Sequence, residues 1–113
     1  MTLGDKQREF TRHFRILLQH IEAAGYECTL GDAYRSPKAF GEMGEPGPYG
    51  RDRSAHKNRL AVDLNLFKDG LYLDQTEDHR PIGEYWEALH PENVWGGRFQ
   101  DGNHYSRRHN GIA

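Results

Sequence analysis

Asp63 stands in Leu60-Ala61-Val62-Asp63-Leu64-Asn65-Leu66, where branched apolar residues alternate with small or polar ones, the period of a strand with one core face and one polar face. A carboxylate on that polar face must be solvated, paired or bound to a cation. His56 lies seven positions earlier. On one continuous strand this odd offset would send the two side chains to opposite faces. On a helix they would share a face about 10.5 Å apart, too far for one ion with bonds of about 2 Å. The remaining geometry is a turn that folds His56 back over the strand of Asp63, and the polar step Lys57-Asn58-Arg59 suits one. A His and an Asp so spaced more often share a hydrogen bond, or nothing, than a metal, so a third ligand is required. The segment Asp101-Gly102-Asn103-His104, beside Trp95-Gly96-Gly97, offers His104. Two histidines and one carboxylate are a common catalytic zinc set that leaves a fourth position for water. Asp101 could stand near that water without ligating the metal.

These residues resemble the zinc D-Ala-D-Ala carboxypeptidases and L-alanyl-D-glutamate endopeptidases, a family that includes vancomycin-resistance carboxypeptidases and small phage endolysins. Three motifs carry the resemblance, from about Tyr34 to Tyr105. The family's Ser-x-His-x-x-Gly-x-Ala-x-Asp is similar to Ser54-Ala55-His56-Lys57-Asn58-Arg59-Leu60-Ala61-Val62-Asp63; its acidic residue three before a ligand His is similar to Asp101 and His104; its Arg-Ser segment is similar to Arg35-Ser36. The resemblance implies that His56, Asp63 and His104 bind zinc (Zn2+), that Asp101 is the catalytic base and that Arg35 contacts substrate. Where the family has its glycine this chain has Arg59. If that glycine serves a positive-φ turn, Arg59 must take the left-handed conformation or the turn must differ.

The chemistry agrees with that assignment. Two neutral imidazoles and one carboxylate leave a zinc first shell with a net charge of about +1, which lowers the pKa of bound water to about 7. A carboxylate such as Asp101 then need only accept a proton already loosened and pass it to the leaving amine. The planar fork of Arg35 matches a substrate carboxylate, though an ion pair with Asp32 would occupy it equally well. Ser54 reads as a turn residue rather than a nucleophile. His13, His20, His79, His90 and His109 read as ordinary solvated residues, with His109 the rival ligand to His104.

Elements able to position this site follow from periodicity. Phe10, Phe14, Leu17, Leu18, Ile21 and Ala24 make one helical stripe between Asp5 and Ala24, closed by Gly25. Tyr26 to Tyr34 reads as a short strand and Pro37 to Arg53, rich in glycine and proline, as a long surface loop. The strand Leu60 to Leu66 leads through Lys68-Asp69-Gly70 into Leu71-Tyr72-Leu73, a hairpin signal. Ile82, Tyr85, Trp86 and Leu89 mark a shorter helix after Pro81, and the segment Val94 to Ser106 returns to the sheet. Trp95 reads as core or rim packing. The expected fold is α+β: an N-terminal helix and a shorter second helix on a small, mainly antiparallel sheet, with the metal on its open face.

Composition removes several alternatives. The 113 residues offer one domain, 1–113, and no second block large enough to fold alone. Fifteen basic and seventeen acidic residues are interspersed, giving a net charge of −2 with no phosphate-binding stripe, so nucleic acid is a poor partner. Cys28 is the sole cysteine, which rules out an internal disulfide and a thiolate-rich zinc finger and suits a small core residue. Neither a secretory signal peptide nor a membrane-spanning run is legible. The expectation is a monomeric phage-type endolysin, made in the cytoplasm, that reaches peptidoglycan stem peptides after release by a separate factor. The alternatives are a D-Ala-D-Ala carboxypeptidase and a non-catalytic, zinc-stabilised module that binds the cell wall or a protein.

Overall fold

The first helix, α1 (Leu3–Ala23), begins two residues before the apolar stripe demands it, because Thr2 caps it. Thr2 Oγ1 accepts from the Asp5 amide at 3.1 Å, while the Asp5 carboxylate accepts from the Thr2 amide at 2.9 Å, a reciprocal capping box. The helix stops at Gly25, whose φ is +90°. Tyr26 N–H donates to Ile21 O and Gly25 N–H to Glu22 O, both at 3.0 Å, which is the Schellman closure that favours glycine. The computed structural model describes residues 1–31 and 55–113. Arg35, Ser54, the end of the first expected strand and the loop Pro37 to Arg53 lie outside the described residues.

Five antiparallel strands form the sheet among the described residues: β1 (Glu27–Leu30), β2 (Ala61–Lys68), β3 (Leu71–Leu73), β4 (Asn93–Trp95) and β5 (His104–Arg107). The order is β1-β2-β5-β4, and β3 pairs with β2 off this path. One edge of β2 takes β1; the other takes β5 along residues 61–63 and β3 along residues 66–68. Asp69 and Gly70, with φ of +53° and +77°, make the two-residue turn between β2 and β3 that the Asp-Gly signal calls for.

Helix α2 (Arg80–Leu89), with Pro81 in its first turn, packs with α1 on one face of this sheet. Phe10, Leu17 and Ile21 of α1 and Ile82 and Trp86 of α2 join Val62, Leu64, Leu66, Trp95 and Tyr105 in the core. Gly83 is required there, since a Cβ would lie 2.2 Å from the Trp95 indole. The chain is therefore α+β as expected, with every strand pair antiparallel. Trp95 is wholly buried and donates through Nε1 to Gly102 O at 2.7 Å, so it is core, not rim.

The histidines depart from the sequence expectation. His79 is a buried residue, held 2.7 Å from the Tyr105 hydroxyl through Nδ1, and burial pushes its pKa down to about 4. His13 and His20 are half-buried rather than solvated, His20 lying flat on Tyr85 with ring centroids 3.6 Å apart. Cys28 is half-buried against the core.

Candidate metal centre

On β2 the alternation sends Val62, Leu64 and Leu66 to the helices and Ala61, Asp63, Asn65 and Phe67 to the other face. Asp63 is the cross-strand partner of His104. Leu64 N–H donates to Asn103 O at 2.9 Å, the bond that flanks a pair not itself hydrogen-bonded, in which side chains come closest. Two of the expected ligands, 41 residues apart in sequence, are thus fixed side by side by strand register alone. Their approach depends on Gly96, where a Cβ would meet Asp101 O at 2.1 Å and His104 Cβ at 2.6 Å.

His56 arrives by the turn that its offset demands. Ala55–Asn58 is one 3-10 turn, closed when Leu60 N–H donates to Ala55 O at 3.0 Å and Arg59 N–H to His56 O at 3.1 Å. This is the pattern that ends α1 at Gly25, with Arg59 now at the left-handed position, φ +57°. Gln7 of α1 anchors the turn by donating to Asn58 O at 2.8 Å. The turn tolerates arginine at the cost of a left-handed L-residue. Arg59→Gly is therefore expected to stabilise the fold by about 1 kcal/mol, read as a higher urea midpoint at unchanged slope; a lower midpoint would show that the Arg59 side chain outweighs its backbone.

The three side chains converge on one point. His56 Nε2 lies 3.1 Å from His104 Nδ1 and 3.2 Å from Asp63 Oδ1, and His104 Nδ1 lies 3.4 Å from that same oxygen. A four-coordinate ion with bonds of about 2.0–2.1 Å sets its ligand atoms about 3.3 Å apart, so the triangle fits a single small cation. Asp63 Oδ1 is buried yet has no aligned hydrogen-bond donor. A buried carboxylate oxygen facing two ring nitrogens in this way is costly unless a cation sits among them. Exposure is 1% for His56, 9% for Asp63 and 5% for His104, so the group is shielded from bulk water. Burial pushes the Asp63 carboxyl up, but the two histidines beside it outweigh that and hold it at about 2. The trio is a possible metal-binding site.

Asp101 stands outside this cluster, on the turn that leads into β5. Its N–H donates to Gly96 O at 2.8 Å and its carbonyl accepts from His104 N–H at 3.0 Å, which ties its backbone directly to His104. It is half-buried, and among the described residues its carboxylate has no hydrogen-bond or ion-pair partner. His109, the rival ligand, is elsewhere: Lys6 Nζ donates to its Nδ1 at 3.0 Å, and it does not join the trio. His90 likewise stands apart, 3.6 Å from the Glu9 carboxylate. Sequence reasoning missed Phe99, whose ring lies 5.6 Å from that of His104; no spacing signal links the two, since a 3-10 turn (Gly96–Phe99) and the left-handed Gln100 set the approach. No helix among the described residues is long and apolar enough to cross a membrane. No protein-family model matches the chain, and no curated protein does.

Proposed function

We propose that this chain is a zinc-dependent peptidase that hydrolyses an amide bond in peptidoglycan stem peptides, in the manner of the small phage endolysins its motifs resemble. The observation that carries this reading is the triangle of His56 Nε2, Asp63 Oδ1 and His104 Nδ1, with edges of 3.1, 3.2 and 3.4 Å. Two histidines and one carboxylate, the candidate ligands among the described residues, match a common catalytic zinc set. Bound zinc supplies a Lewis acid that polarises the scissile carbonyl and acidifies the attacking water. The chain's own residues do the rest. His56, Asp63 and His104 hold the ion, and Asp101 takes a proton from the attacking water and delivers it to the departing amine. Arg35 pairs with a substrate carboxylate through its planar fork.

The bond favoured is that between L-Ala and D-Glu, because cutting it severs the crosslinked mesh whereas trimming a terminal D-Ala does not. Arg35 would then meet the free α-carboxylate of the D-Glu. Purified protein is expected to carry about one zinc and to release, from isolated sacculi, soluble peptides with a new N-terminal D-Glu. Metal analysis and mass spectrometry of the digest read both. Free D-Ala as the sole product would make the chain a carboxypeptidase with the same site. Intact sacculi with zinc-loaded protein would leave a metal-stabilised binding module.

A further inference from the structure

The face of the sheet that carries Asp63 continues, two residues at a time, through Asn65 to Phe67. Phe67 is the cross-strand partner of Tyr72, and their rings lie 5.5 Å apart, tilted by 52°. Tyr72 is 55% exposed, so an aromatic pair stands open on the same face as the metal ligands. Beside it, β3 and β5 part, because they share one edge of β2 but pair with different stretches of it. The gap is a pocket of about 230 Å³ between the Tyr72–Thr76 segment and the Gln100–Asn103 turn.

The lining chemistry is specific. Tyr72 is its aromatic residue, while Asp74, Gln75 and Asn103 bring planar carboxylate and amide groups to its wall, beside the Asp101 proposed as base. Gln75 Nε2 donates to Asp74 Oδ1 at 3.1 Å, which leaves Asp74 Oδ2 for a ligand. The pocket's described lining includes neither lysine nor arginine, and its two carboxylates disfavour an anion. Flat acceptors and donors beside an aromatic face suit a neutral ring with hydroxyl and acetamido groups.

We propose that this pocket, with the Phe67–Tyr72 pair at its edge, binds a pyranose ring of the N-acetylated glycan strand that bears the stem peptide. The identity of the glycan rests on the hydrolase reading above; the saccharide chemistry rests on the pocket. Reach supports the choice. From the L-Ala–D-Glu bond back to the sugar lie one residue and a lactyl link, about 7 Å at ~3.5 Å per residue length. Asp63 to Phe67 spans about 13 Å at ~3.3 Å per residue. A stem peptide opened at the metal thus starts its sugar about 7 Å along this stretch, short of Phe67, and the sugar ring continues from there toward the aromatic pair. Recognition of glycan and peptide would then share one continuous surface.

The test uses the zinc-loaded full chain and an N-acetylglucosamine tetramer, followed by NMR. The tetramer is expected to shift the ring resonances of Tyr72 and Phe67, and Tyr72→Ala to weaken its binding about tenfold. With substrates, wild-type KM should be lower for a sugar-bearing stem peptide than for the same peptide without sugar, and Tyr72→Ala should narrow that gap. Zinc content and circular dichroism serve as controls for the fold. Absence of tetramer-induced shifts, or equal binding by Tyr72→Ala, overturns the saccharide site even if peptides are cleaved. Tetramer binding at Tyr72 in a protein that cleaves neither peptide upholds the site and removes the hydrolase reading instead.

Discussion

Replacing His104 by alanine is expected to strip the protein of its zinc and abolish hydrolysis, with the apparent affinity falling at least 100-fold. Loss of a supporting residue around a metal typically costs 10-fold to 100-fold, and His104 is proposed as a direct ligand. The physical reason is visible in the triangle. His104 Nδ1 contributes two of its three edges, at 3.1 and 3.4 Å, and without it His56 and Asp63 keep one contact of 3.2 Å. An alanine there also leaves the buried Asp63 carboxylate with one neighbouring imidazole in place of two. Metal analysis after exhaustive dialysis checks the affinity, and near-ultraviolet circular dichroism checks that the core around Trp95 and Tyr105 survives. His109→Ala, remote from the trio, should keep its full zinc complement. Full retention in His104→Ala would dismantle the ligand set proposed here.

The parts of this site that were legible in the sequence are those governed by local periodicity. The helix α1, the alternation of β2 and the Asp-Gly hairpin each announce themselves within about ten residues, because side-chain period and turn chemistry are local properties. The odd offset between His56 and Asp63 also led correctly to a turn. The offset alone does not say which residue is left-handed; the family's glycine position pointed to Arg59, and Arg59 takes it with φ +57°. That choice follows from the hydrogen bonds of Leu60 and Arg59 to Ala55 and His56. The pairing of Asp63 with His104 is a different kind of fact. It depends on how β5 registers on β2, and registers between distant strands are set by the whole core. The same holds for His79, whose polar type reads as surface but whose place beneath the sheet is fixed by Tyr105. Arg35 and the Pro37 to Arg53 loop lie outside the described residues, and their roles rest on the sequence alone.

Asp101→Asn is expected to keep the metal and the fold yet lose hydrolysis by about 100-fold or more, the usual contribution of a positioned general base. The substitution is nearly isosteric, and the two hydrogen bonds that hold this position, to Gly96 O and from His104 N–H, are made by the backbone and survive it. Nothing about the ligand triangle needs the Asp101 side chain, which stands outside the cluster. What the amide cannot do is take a proton. A carboxylate can accept one from the attacking water and return it to the amine as the bond breaks, whereas an asparagine oxygen can only hydrogen-bond. The loss should therefore appear in kcat, with KM changing far less, because the missing interaction develops only as the reaction proceeds. A structural role would read differently: Asp101→Asn would shed zinc or lower the unfolding midpoint in step with activity. Turnover of stem peptide near the wild-type rate would remove Asp101 from the chemistry.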